Sequence, residues 1–217
     1  MKVPERERIA GRSPDQDVEM SLLERFLPVF DVSDSVAVEV AAGPEPAWRA
    51  LMDADLIEVG RRRKVVGALG ALRGLPEIAA GLLRGEGLPS RPSRLTLRDT
   101  ANPELGAGAW ILLGERANRE LALGLVGRFW RPVIEYARCD ATEFAAFSNP
   151  GFAKTVYALR LDPAASGSVR LTATMRTATT DERARRSFDR YWTLGVGSGA
   201  HVLVRSLLEV VKEDAER

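Results

Sequence analysis

The chain has 217 residues, of which 45% are hydrophobic, and sets 31 Lys and Arg against 30 Asp and Glu for a net charge of +1. That length suits one domain with a core of its own, and balanced charge supplies no global field to draw in nucleic acid or an anionic membrane. Cys139 is the only cysteine, which excludes an internal disulfide and any multi-cysteine zinc site and fits a reducing compartment.

Residues 1–17 carry few large apolar groups and are expected to form a disordered tail ahead of a single domain over 18–217. The same stretch lacks an apolar h-region, so a cytoplasmic location is expected. From Asp17, Met20, Leu23 and Leu27 fall at helical spacing before Pro28, which predicts a short helix. "DSVAVEVAAGP" then alternates Val36, Val38 and Val40 with smaller or charged residues and reads as a strand ending at Gly43 and Pro44. Pro44 and Pro46 suit the first turn of a helix carrying Trp48, Leu51 and Met52. A second helical region is expected over residues 65–83, interrupted by Arg73, Pro76 and Glu77 and therefore a poor membrane span.

After the loop "GEGLPSRPSR" the pattern turns to β. A short strand is expected at 95–97 and stronger ones in "AWILLGE" and "RELALGLVG", with a turn at 114–118 and "RPVIEYARC" continuing the sheet. "DATEFAAF" reads as a short helix with Asp140 and Glu143 as its capping box. Residues 152–161 and 168–177 form a predicted hairpin around "DPAASG". If Leu161 faces Val169, then Leu159 faces Leu171, Tyr157 faces Ala173 and Thr155 faces Met175, and one face of the hairpin is mainly apolar.

The last predicted element is a helix opening at "TTDERARRSF", with Thr179 and Glu182 as its capping box. Phe188 and Trp192 lie four apart, and Val204, Leu207, Leu208, Val211 and Ala215 continue an apolar stripe beyond "GVGSG". Each of those three glycines costs a helix about 1 kcal/mol relative to alanine. The cluster is either a break between two helices or a place where the helix passes a cavity or another backbone.

His201 is the sole histidine, so neither a histidine metal cluster nor an HExxH site can be built, and no metal or other cofactor is expected. Its position after "GVGSG" either aims it into a cavity or leaves it packed or solvated on the helix. Cys139, just before a helix start, could carry a lowered pKa, against the plainer reading of a small buried side chain. Glu115 and Glu120 flank the expected turn and read as solvated. In "GRFWRPVIEY", Arg128, Trp130, Arg131, Glu135 and Tyr136 suit either a planar or anionic ligand or the sealing of a sheet edge. The hairpin register points Tyr157 inward, where its hydroxyl needs a partner. Trp110, Leu121, Leu123, Met175, Phe188 and Trp192 would share that interior, as core or as lining. The basic run "GRRRK" at 60–64 reads as a solvated helix approach ahead of a membrane-facing one, and no nucleic-acid partner is expected.

The order of strand, helices, several antiparallel strands and a long closing helix resembles the helix-grip fold of the START-like, or SRPBCC, superfamily. The resemblance spans about residues 33–216 and rests on "VEVAAGPEPAWRAL" and "RLTATMRTATTDERARRSFDRYW", while "LGLVGRFWRPV" and "FSNPGFAK" are similar to one branch of it. It implies an α+β fold, a curved antiparallel sheet wrapped around the C-terminal helix, and a cavity between them for an apolar or amphipathic small molecule. The residues expected to line that cavity are Tyr157, Arg128, Trp130, Trp110, Leu123, Met175, Phe188, Trp192 and His201. No catalytic motif transfers residue by residue, so two alternatives stay open: an enzyme of the polyketide cyclase or dehydratase kind, and a protein-interaction module with a filled core.

Overall fold

The computed structural model describes residues 20–64, 67, 68, 83, 93–100 and 110–217. The expected tail and nearly all of the helical region at 65–83 lie outside these residues. Helix α1 (Leu22–Phe26) begins where the Ser21 hydroxyl accepts the Glu24 N–H, and it buries Leu22 and Leu23. Strand β1 (Val32–Val40) follows, then α2 (Pro44–Asp53), which opens on its prolines and buries Ala47, Trp48, Leu51 and Met52.

Helix α3 (Leu56–Arg62) is not anticipated from apolar spacing, because its signal is a cap. The Asp55 carboxylate accepts the Ile57 N–H at 2.9 Å and, from across the fold, the Leu95 N–H at 3.1 Å. The expected strand at 95–97 is corrected to a helical turn, α4 (Leu97–Thr100). Asp99 accepts both the N–H and the hydroxyl of Thr96, and the Thr96 hydroxyl accepts the Asp99 N–H, so the chain curls before it can extend.

Strands β2 (Ile111–Arg116), β3 (Glu120–Arg128), β4 (Glu135–Tyr136), β5 (Ala153–Pro163) and β6 (Val169–Thr179) join β1 in one open antiparallel sheet. Its order is β1-β6-β5-β3-β2, and β4 pairs with the end of β3. "RPVIEYARC" therefore contributes two paired residues rather than a full strand. The turn between β2 and β3 falls later than expected, after Arg116, and Gly114 instead marks a bulge in β2. Helix α5 (Ala141–Ala146) carries the expected capping box of Asp140 and Glu143.

The hairpin register differs from the expected one by two residues. Leu161 pairs with Leu171, Leu159 with Ala173, Tyr157 with Met175 and Thr155 with Thr177. Ser166 and Gly167, at φ 58° and 79°, close a tight turn that leaves Pro163 paired at the end of β5 instead of inside the loop. A shift of two preserves the face on which each side chain lies, so the apolar face is still the one expected.

The C-terminal helical stretch begins at α6 (Glu182–Tyr191), passes through a π turn at Trp192–Val196, and continues as α7 (Gly197–Ala215). The expected Thr179 cap is corrected: Asp181 caps α6 by accepting the Ala184 N–H, while Thr179 ends β6 and donates its N–H and hydroxyl to Asp31. Helix α7 packs mainly on β1 and α2, while α6 reaches the inner strands β6 and β5.

Three apolar clusters result. The largest joins one sheet face to α2, α3 and α7 through residues such as Val36, Leu121, Leu159, Leu171 and Leu208. The second fills the opposite face beneath α1 and α5, around Phe144, Val126 and Val156. The third, at one end of the sheet, joins Leu125, Phe129 and Phe188 with the partly buried Trp130, Tyr191 and Trp192.

Candidate functional site

Across four neighbouring strands one row of the sheet reads Leu123, Tyr157, Met175 and Asp34, on the face turned to the C-terminal helix. Leu123 and Met175 are core residues. Asp34 breaks the row. It shares the parity of Val36, Val38 and Val40, so its carboxylate is directed where the valines bury their methyl groups.

That charge is met by His201. On α7, His201 stands three residues before Val204 and seven before Leu208, hence on the stripe that faces the sheet. Its Nδ1 lies 3.1 and 3.0 Å from the two Asp34 carboxylate oxygens. A carboxylate can only accept, so Nδ1 carries hydrogen and, in the neutral ring, Nε2 holds the free lone pair. The two side chains remain 42% and 30% exposed, so the pair reaches solvent.

The opening beside it comes from the π turn. Leu194 and Gly195 leave helical geometry, with Gly195 at φ 102°, and Leu194 is 84% exposed. Gly197 is required by contact: a Cβ there would lie 2.7 Å from Cε2 and 2.8 Å from Nε1 of the Trp192 indole. The indole thus folds back along the helix that carries it, with the Phe188 ring stacked at 5.8 Å. π turns recur at functional sites because they displace a side chain from the helical ladder.

Two spaces adjoin Asp34. One, lined by Val36, Tyr157, Ala173, Met175, Ala200 and Val204, has a volume of about 10 Å³, enough for a single water. The other is an open groove of about 520 Å³, lined by Ser33, Asp34, Trp192, Thr193, Gly197, Ser198, His201 and Val202. Beside Tyr157, between sheet and helix, the space is that of one water, where the expectation is a hollow of a few hundred Å³. A volume of that order sits beside the interior, at the elbow of the helix.

Tyr157 lines the smaller space and not the groove. Its ring packs edge-on against Trp110 with centroids 5.5 Å apart, and its hydroxyl has no hydrogen-bond partner among the described residues. Burial, with the nearby Tyr191 and Asp34 adding to it, pushes its pKa up to about 12. It stays a neutral donor through the physiological range.

The other sequence candidates are dispersed. Arg128 is corrected: it lies on the opposite face of β3 from Leu123, donates Nε–H to the Gly151 carbonyl at 3.0 Å, pairs with Glu135 at 3.0 Å and covers the Phe152 ring at 4.5 Å. It locks a sheet edge, because its three partners already surround the guanidinium. Trp130 packs in the third apolar cluster beside Trp192 rather than in the row of Tyr157, and Phe188 is buried there. Cys139 is no activated nucleophile: burial raises its thiol pKa, and the Glu143 and Asp140 carboxylates add to that rise. Glu120 is corrected from a solvated turn residue to a buried one, 2% exposed, which accepts the Leu22 N–H at 2.9 Å and pairs with Arg116 at 3.0 Å. Among the described residues no cluster of three His, Cys, Asp or Glu side chains could hold a metal ion.

Within the helical stretch Glu182–Ala215, one 18-residue window has a mean hydropathy of 1.3, long and apolar enough to cross a membrane by length and composition. Only 28% of that window is buried; Val202, at the groove, and Leu203, next to it in the chain, are each 40% exposed. The elbow therefore presents apolar surface next to the Asp34 and His201 pair.

No protein-family model matches the chain, and no curated protein matches it. Among solved structures it is similar to the Mll3558 protein of Rhizobium loti, at 13% identity over 84% of this chain and 96% of that one, with a TM-score of 0.39. It is also similar to TTHA0849 of Thermus thermophilus, at 10% identity over 85% of this chain and 97% of that one, with a TM-score of 0.30.

Proposed function

We propose that the protein binds an apolar or amphipathic small molecule, and that the guest occupies the open groove at the elbow of the C-terminal helix. The single observation that carries this reading is the coincidence, in about 520 Å³, of an indole wall, the exposed Val202 side chain and one imidazole held by a carboxylate. Ligand sites have this make-up: apolar area supplies affinity at roughly 25 cal/mol per Å² buried, and a few polar groups fix orientation. Under the same proposal the layout is that of a helix-grip, START-like (SRPBCC) protein. An open antiparallel sheet with a long terminal helix on one face supports it.

Native mass spectrometry of the purified protein tests the binding reading. The wild-type chain should carry an added small-molecule mass, and Ser198→Trp, which fills the groove from an exposed helix position, should lose it. A wild-type spectrum with no added mass under gentle ionisation, or an unchanged adduct in the variant, contradicts it.

A second reading, an enzyme of the cyclase or dehydratase kind, draws on Asp34 meeting His201 at the groove and Tyr157 at the smaller space behind it. It requires that the bound molecule be recovered altered, and that Tyr157→Phe or His201→Ala slow the change at least ten-fold without releasing the molecule.

A further inference from the structure

The polar chemistry of the groove is asymmetric, and the asymmetry selects among guests. Both Asp34 oxygens lie within 3.1 Å of His201 Nδ1, so the carboxylate is engaged with the imidazole rather than directed at the groove's contents. The ring's other nitrogen, Nε2, has no partner among the described residues, and the side chain forms part of the groove wall. A neutral imidazole fixed in this way offers one lone pair and no hydrogen to the groove. A guest that brings an acceptor alone gains nothing from it. A guest carboxylate also meets the Asp34 charge across a short distance, with no lysine or arginine among the groove residues to offset it.

We propose that His201 is the groove's hydrogen-bond acceptor: with Asp34 holding its Nδ1–H, its Nε2 lone pair receives the hydroxyl hydrogen of a neutral, mostly apolar guest lying against Trp192. The ligand class is thus an alcohol or phenol on an apolar body, rather than an acid or a bare hydrocarbon. Ser33 and Thr193 give their hydroxyl hydrogens to the Met175 and Asp189 carbonyls and so add acceptor lone pairs of the same sense, while Ser198 serves either kind of guest; the His201→Ala comparison isolates the imidazole's share. The Trp192 indole, pinned by Gly197 beneath it and Phe188 stacked on it, gives the apolar body a fixed surface. This inference rests on the groove being the binding site, and its test separates the two.

The test compares 2-naphthol, naphthalene and 2-naphthoate, which share one ring system, by quenching of tryptophan fluorescence on the full chain. The wild-type protein should bind 2-naphthol at least ten-fold more tightly than naphthalene and 2-naphthoate most weakly. In His201→Ala the ratio of the first two should fall to near one, and in Asp34→Asn it should fall part of the way. A ratio is read rather than an affinity, so a general loosening of either variant does not imitate the effect. Because the chain has one histidine, nitrogen NMR of the imidazole gives an independent readout: Nε2, and not Nδ1, should shift when 2-naphthol is added. Quenching by all three probes with no preference for the hydroxyl, or a preference that persists in His201→Ala, overturns the inference and leaves the groove as a site. No quenching by any probe removes the groove and the inference together.

Discussion

At the scale of single residues, the account turns on polar groups placed where apolar ones are expected. Tyr157 is the clearest case for measurement. Its folded pKa of about 12 exceeds the ordinary tyrosine value of roughly 10, so the fold favours the neutral phenol. The associated stability is fully present below pH ~10 and is lost as the pH climbs toward about 12, a change on the order of 2 kcal/mol. Absorbance titration should show one tyrosine ionising late, and Tyr157→Phe should remove that step and flatten the alkaline fall in stability. A second case is the buried pair Thr155 and Thr177, whose hydroxyls are 2.8 Å apart. Thr177→Val leaves the Thr155 hydroxyl without this partner and should cost about 1–3 kcal/mol, whereas valine at both positions should recover most of it, as thermal melts of the three variants would show. Much at this scale is legible in sequence. Alternation in the hairpin points Tyr157 inward, and a register error of two does not disturb that. Asp34 was equally visible as a charge on the parity of three valines, and His201 as an imidazole on the apolar stripe, but nothing in one dimension says that the two meet across 167 positions.

Elements were legible where their own residues close them and obscure where distant residues do. The capping box of Asp140 and Glu143 and the proline-led start of α2 are local, and both match expectation. Helix α3 depends on Asp55, which also holds Leu95, and the start of α6 is set by Asp181 while Thr179 is taken up by Asp31. Such competition between partners far apart in the chain is hidden from a pattern of apolar spacing. The glycine cluster stood between two readings, and the structure shows the break: the helix changes direction at Gly195, while Gly197 makes room for the helix's own Trp192 side chain rather than for another backbone. Gly197→Ala should therefore displace the indole, with a red shift in tryptophan emission and a loss of about 1–3 kcal/mol from overpacking. Ser198→Ala, one residue on and exposed, should leave both unchanged. If both variants behave alike, the contact of Gly197 with the indole is not what shapes the elbow.

At the scale of the whole molecule, one sheet face is filled by α1 and α5 and the other carries the helices, with three clusters that leave only about 10 Å³ beside Tyr157. The sequence resemblance leads to a guest enclosed between sheet and helix. The groove of about 520 Å³ lies outside that interface, where a π turn bends the helix and its apolar surface is exposed. The difference is one of packing: Val36, Met175, Ala173 and Val204 close on one another, and no alternation pattern reports how completely side chains fill a volume. The most direct measurement is a crystal structure of the protein purified from its host without unfolding. The account predicts density for an organic molecule against Trp192, with an oxygen within about 3.2 Å of His201 Nε2. A groove holding only water while such a molecule lies between the sheet and α7, or an Asp34 carboxylate turned away from His201, would contradict it.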